Sequence, residues 1–260
     1  MTTETALPSR RLQAAINIAA LLAAVALNAL ANILPLNGRT TGEISDSLPS
    51  LFVPAGYVFS IWSLIYLGLM AFAIYQALPG QQHNPAVRAT GWWFTLTCAA
   101  NGAWIVFWHF GYYALTLAVM LTLLLGLIVI YRRLAALAPA GAARWLVQFP
   151  FSLYLGWITV ATAANVSAVL VWLGWNGGPL SPAAWTVALI AVAATLGMVM
   201  IYRHRDKVYA GVIVWALAGI AVKQSGSLLI MAACVAAIAA IAASELAMRL
   251  RAPAATRALR

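Results

Sequence analysis

Eight long apolar runs constrain this chain more than any other feature. They cover roughly residues 12–34, 52–78, 90–110, 112–131, 145–173, 182–202, 207–223 and 226–248. A bilayer span needs about 20 mostly apolar residues. The chain is 64% hydrophobic and 8% charged over 260 residues, more apolar surface than a soluble fold can hide. The expected fold is therefore all-α, a polytopic transmembrane bundle of about eight helices. The first run follows Arg10 and Arg11, as the core of a signal peptide would. It is too long for one, and no small-x-small site precedes a polar chain, so it reads as a retained helix. The run at 207–223 is the shortest of the set.

The net charge of +10 raises a nucleic-acid reading, but a membrane accounts for it better. With eight spans, the N-terminus, the even-numbered loops and the C-terminus share one side. Arg10, Arg11, Arg88, Arg132, Arg133, Arg144, Arg203, Arg205, Lys207, Arg249, Arg251, Arg257 and Arg260 fall there, 13 of the 15 Lys and Arg. Arg39 and Lys223 are the other two. This is the positive-inside pattern, with both termini cytoplasmic and no nucleic-acid partner expected. The expected location is a bacterial inner membrane. The basic tail could also touch anionic lipid, at about 1 kcal/mol per residue. Cys98 and Cys234 lie inside apolar runs and read as small core hydrophobes.

Two features divide the chain. Segment 35–51, bracketed by Pro35 and Pro49, is the long loop between spans and is expected outside. The junction NGGPLSP at 176–182 separates a five-helix front part, residues 1–175, from a rear part, residues 176–260. The rear part is three more helices and a basic tail. On its last run, Ala232, Ala236, Ala240 and Ser244 recur at i+4. Such a small-residue stripe lets backbones approach, so it should pack on another helix or on a second copy in a homodimer.

Aromatic residues in the front part recur at helical spacing. Phe59, Trp62, Tyr66 and Met70 share one face of the second run, and Thr97, Asn101, Trp104 and Trp108 share one of the third. Tyr154, Trp157, Ala161 and Asn165 share one of the fifth. Trp92, Trp93, Trp145, Trp172 and Trp175 stand at span ends, where interface belts occur. Trp62 is about ten residues inside its span, or about 15 Å deep. An amide in hydrocarbon needs a partner, so these faces should point inward. The pattern fits a pocket for a flat apolar ligand, roofed by segment 35–51. It fits equally well rings that simply pack the bundle core.

The stretch PAGYVFSIWSLIY at 54–66 resembles the second-helix motif of the TspO/MBR family, the tryptophan-rich sensory proteins and mitochondrial translocator protein. Pro54, Gly56, Val58, Phe59, Trp62 and Tyr66 match that motif; Ala55 replaces a proline and Tyr57 a tryptophan. NGAW at 101–104 and WITVATAAN at 157–165 resemble the family's third- and fifth-helix motifs. The proline that the family places four residues before Trp157 stands instead at Pro150. The resemblance covers about residues 12–175, and residues 182–260 have no counterpart in the five-helix pattern. It implies a five-helix bundle that binds porphyrins and other tetrapyrroles, and in some members sterols, under the first long loop. The expected ligand site is therefore Pro54, Tyr57, Phe59, Trp62, Tyr66, Asn101, Trp104, Trp108, Tyr154, Trp157 and Asn165.

No metal-ligand spacing joins His83, His109 and His204. His109 could ligate a haem iron at the pocket mouth, though a solvated interface histidine is the simpler reading. Glu245, the one carboxylate within a span, should pair with Arg249 at i+4. The pocket offers no general acid or base. The expected function is thus a membrane receptor or carrier for a porphyrin, haem or sterol-like molecule, with no required cofactor. The alternatives are an unrelated secondary transporter, for which neither buried charges nor broken paired helices are evident, and a membrane enzyme that modifies the bound tetrapyrrole.

The charge distribution makes a topology prediction. A cysteine placed in segment 35–51 should react with an impermeant maleimide from outside the cell, and one near Arg257 should not. Reversed labelling rejects the orientation, and outside labelling at both positions rejects the number of spans.

Overall fold

The computed structural model describes residues 6–34 and 36–251. Pro35, Arg257 and Arg260 lie outside the described residues, and with them most of the tail expected to touch lipid. Among the described residues the chain is all-helical. The helices are α1 Ala6–Ile33, α2 Thr41–Asp46, α3 Ile61–Ala77, α4 Pro85–His109, α5 Tyr113–Leu137, α6 Phe149–Trp172, α7 Pro182–His204, α8 Lys207–Lys223 and α9 Leu228–Arg251. Each apolar run holds one long helix; α2 lies within the long loop. Six helical stretches are long and apolar enough to cross a membrane. The other two long helices are α4, which is rich in Trp, Asn and Thr, and α8, which has 17 residues.

Local chemistry sets the helix ends. Asn84, Ser181 and Asp206 each accept a backbone N–H in the first turn that follows, and proline sits in the first turns of α4 and α7. Ala138 and Arg205 end α5 and α7 in the left-handed region, at φ 45° and 54°. The displaced Pro150 is accommodated. A π turn at Arg144–Gln148 runs directly into α6, with the Phe149 N–H bonded to Arg144 O, and Pro150, which has no N–H to place, follows that wider turn.

Helix α4 is broken at Gly91, with φ 48° and ψ −140°, a region essentially open to glycine alone. No proline announces it. Side chains reach carbonyls at the break: Arg133 Nη1 donates to Ala89 O at 3.4 Å and Asn17 Nδ2 to Gly91 O at 3.5 Å.

The chain forms two compact units. One is Met1–Pro49 with Ser60–Gly174, and the other is Ser50–Phe59 with Trp175–Arg260. In the first unit α4 packs on α1 and α5, α5 on α6, and α3 on α1 and α6. Every residue from Phe151 to Ile158 of α6 is buried. In the second unit α7, α8 and α9 pack on one another. Segment 50–59 is held on α8: the Ala55 N–H donates to Gly219 O at 3.1 Å, Trp215 Nε1 to Val58 O at 3.1 Å and Gln224 Nε2 to Leu51 O at 3.2 Å. Gly219 makes the seat, because a Cβ there would collide with the Val58 side chain and press on Pro54.

Helix α9 divides the small-residue stripe. Its packed face is Ile230, Cys234, Ala237, Ile241 and Ser244, whereas Ala232 and Ala236 are exposed. Ile241 Cδ1 fills the notch over Gly197 on α7. The Glu245–Arg249 pair forms, with Arg249 Nε at 2.7 Å, and Lys207 joins the same carboxylate oxygen.

The Gly219 seat is testable. Gly219→Val should lower stability in detergent by about 1–3 kcal/mol through overpacking. Gly211→Ala, where an added Cβ meets nothing within 4 Å, should not. Equal melting temperatures for Gly219→Val and the parent would reject the seat.

Candidate functional site

The aromatic stripes of the first unit converge on two clusters. The first centres on Trp62, half-buried near the start of α3. Its ring stacks on Tyr66 one turn along, with centroids 5.3 Å apart. It meets Tyr154 and Trp157 of α6 edge-on at 5.9 and 6.2 Å. Beside these rings lies a neutral hydrogen-bond network. Asn101 Oδ1 accepts from Asn28 Nδ2 at 2.7 Å and from the Tyr66 hydroxyl at 3.3 Å, and Asn101 Nδ2 donates to the Tyr154 hydroxyl at 3.0 Å. Four helices, α1, α3, α4 and α6, thus meet at one amide.

The second cluster lies further along α4, under the loop. Trp104 and Trp108 stack at 5.2 Å, Tyr113 meets Trp108 edge-on at 5.4 Å, and Trp172 meets Tyr113 at 5.8 Å. Trp104 Nε1 donates to Asn165 Oδ1 at 3.5 Å, and Asn165 Nδ2 to Thr116 Oγ1 at 2.9 Å. Ile44 and Leu48 of the loop pack on Trp108 and Ala168.

The loop is closed onto the end of α4 by polar contacts as well. Trp108 Nε1 donates to Thr41 O at 3.3 Å, and Asn37 Nδ2 to His109 O at 3.1 Å. His109 is buried, not solvated as the sequence suggests, because the loop folds over it. Its Nδ1 bonds Leu36 O and its Nε2 bonds Thr41 Oγ1, both at 3.0 Å. A carbonyl only accepts, so Nδ1 carries a hydrogen. A metal at either nitrogen would displace one of these bonds. Within the loop, α2 is closed by a capping box between Thr40 and Glu43. The Thr40 backbone N–H, then its hydroxyl, then the charge of Arg39 hold the Glu43 carboxyl below the usual carboxylate value.

Three expected site residues lie elsewhere. Pro54, Tyr57 and Phe59 belong to the second unit, where Pro54 is buried beside Gly219 and Tyr57 meets Trp215 edge-on at 5.5 Å. Asn28, Tyr113, Thr116 and Trp172 are contributors that the stripes did not name. Asn28 carried a readable signal, since it is an amide inside an apolar run.

A further polar cluster lies beside the Gly91 break. Asn17 Nδ2 donates to Gln76 Oε1 at 3.1 Å, and Thr95 Oγ1 donates to Asn17 Oδ1 at 2.5 Å. Gln76 Nε2 is buried and has no acceptor among the described residues. An open groove of about 570 Å³ at the same end of the unit is lined by Gly80, His83, Asn84, Leu137 and Ala140, with no stripe aromatic in its wall. Among the described residues no group of three or more His, Cys, Asp or Glu is placed to hold a metal ion.

A family model described as TSPO-like protein matches residues 14–247. That match continues past residue 175, where the motif resemblance stops, and takes in the rear helices. No curated protein and no solved structure matches the chain.

The amide hub can be tested without a ligand. Asn101→Leu strands the Asn28 and Tyr66 donors and should cost about 1–3 kcal/mol of stability. Thermal unfolding in detergent checks this; a melting temperature unchanged from the parent would mean that the network contributes nothing.

Proposed function

The chain belongs to the TSPO-like protein family, and we propose that this membrane protein is a receptor or carrier for a flat apolar molecule of the porphyrin, haem or sterol type. The observation that carries the reading is the Trp62 cluster. Three further aromatic rings and a neutral amide network gather around one half-buried tryptophan, inside a bundle whose lipid-facing surface needs none of them. In this reading the ligand replaces ring–ring contact with ring–ligand contact, entering beside Trp62. The closed loop over Trp104 and Trp108 keeps the second cluster out of water. The 13-to-2 distribution of basic residues supports both termini on the cytoplasmic side of a bacterial inner membrane. The exposed Ala232 and Ala236 face of α9 is the surface proposed for a second copy of the chain.

One observation favours a transport role over simple reception. Secondary transporters place polar backbone at broken helices, and α4 is broken at Gly91 beside the Asn17, Gln76 and Thr95 side chains.

Trp62 decides the matter. If it stacks on the ligand, Trp62→Ala should cost about 1–3 kcal/mol of binding, by analogy with aromatic–base stacking, or about 5- to 150-fold in affinity. Trp62→Phe should lose less, because a smaller ring still stacks. Protoporphyrin titration of folded protein in nanodiscs is the measurement. Unchanged affinity in a folded Trp62→Ala protein would make the tryptophan core packing and remove the proposed site.

A further inference from the structure

Away from the aromatic clusters, one buried donor of the first unit has nothing to bond. Gln76 lies near the C-terminal end of α3, fourteen residues after Trp62, or about 21 Å along the helix. Its side chain is 5% exposed, and its Nε2 has no acceptor among the described residues. In a bundle of membrane-length helices such a group is costly to leave dry. It sits beside Asn17 of α1, which is 2% exposed, and the Gly91 break of α4.

Hydrogen-bond direction fixes which atom is spare. The Gly91 carbonyl only accepts, so the Asn17 atom 3.5 Å from it is the N–H2. The other Asn17 atom is then the oxygen, which takes the Thr95 hydroxyl at 2.5 Å. The same Asn17 N–H2 stands 3.1 Å from Gln76, so the Gln76 atom facing it is the oxygen. Turning the Gln76 amide over would set two donors against each other. The Gln76 N–H2 is therefore left to give. Gly91 is ready to receive. Its backbone, at φ 48° and ψ −140°, presents a carbonyl that the Asn17 amide reaches only at long range. Both groups bond one atom, Asn17 Nδ2, so they are neighbours. There is also a way in. Gly91 is half-buried, and a Cβ added there would meet only Gln13 Nε2, at 4.0 Å.

We infer that the Gln76–Gly91 cluster is a hydroxyl site, in which Gln76 Nε2 donates to an O–H oxygen that enters past Gly91 and gives its own proton to Gly91 O. The amide calls for an acceptor and the carbonyl for a donor, and one O–H group is both. Two sources carry that chemistry, a water molecule and the alcohol of an amphipathic lipid. The site is separate from the Trp62 cluster and does not rest on the ligand-binding reading given above.

The test uses the full chain in nanodiscs and has two arms. In the first, a structure at a resolution that shows ordered water should place an oxygen about 2.7–3.2 Å from Gln76 Nε2. In the second, stearyl alcohol and stearyl methyl ether are titrated while the melting temperature is followed. The two probes share a chain and an oxygen, but only the alcohol has a proton to give. If the guest is a lipid alcohol, the alcohol should stabilise at lower concentration than the ether. Gln76→Leu should then weaken its apparent affinity about 2- to 10-fold, the range for one lost hydrogen bond. Gln76→Met, closer in length, serves in its place if Gln76→Leu does not fold. If the guest is water, an isolated oxygen stands at Gln76 and neither probe acts through that residue. No oxygen at Gln76 Nε2, together with probe responses that are absent or unchanged in the Gln76 variants, overturns the site. Equal responses to alcohol and ether, both lost in Gln76→Leu, would make the guest an acceptor alone and overturn the hydroxyl.

Discussion

A polar group inside hydrocarbon must find its partner within the protein, and most of what is specific about this structure follows from that requirement. Leucine and alanine alone could build eight helices, but they would not fix which helices meet. Asn101 does. Its single amide takes donors from α1 and α3 and gives one to α6, which ties three helices to the fourth that bears it. Asn165 does the same at the other cluster, joining Trp104 of α4 to Thr116 of α5. The rings then fill the space around these ties. Two of the closest ring pairs, Trp62–Tyr66 and Trp104–Trp108, are i,i+4 neighbours on one helix, so each presents its helix with a flat wall ready made.

The same requirement explains why the irregular parts are so well bonded. The Gly91 break frees backbone groups within a membrane-length helix, and side chains from α1 and α5 reach carbonyls there. The loop after α1 carries its own short helix, closed by the Thr40–Glu43 capping box, and is fixed to α4 through Trp108 and His109. His109 is central to that closure because the two nitrogens of its one ring meet two points of the loop, the Leu36 carbonyl and the Thr41 hydroxyl.

Periodicity made the helices legible, since every long helix falls on an apolar run. It also made the faces legible: an i+3, i+4 stripe with an asparagine in it can hardly face lipid, and Asn101 and Asn165 are both buried. Periodicity did not sort the stripes into two clusters, because that depends on how far each helix is shifted along its neighbour. Nor could it find the Gly91 break. RATGWW contains no proline, and a lone glycine in a helix is common enough to pass unremarked. The burial of His109 was missed because the loop that covers it, 35–51, has no periodic pattern to place it. Asn28 was within reach of the rule that found Asn101, had the rule been applied to the first run as well.

The stretch at 54–66 is divided between the two units. Read along the sequence, PAGYVFSIWSLIY is one element. In the structure its first half, through Phe59, is bonded to α8 by Gly219, Trp215 and the residues around them, while its second half starts the helix that carries Trp62. The two halves are joined by one peptide bond between Phe59 and Ser60. The family match from residue 14 to 247 takes in the helix that holds the first half of the stretch as well as the helix that carries the second. Within the second unit Gly219 is the residue that lets segment 50–59 lie close on α8, since any side chain there would meet Val58 and Pro54.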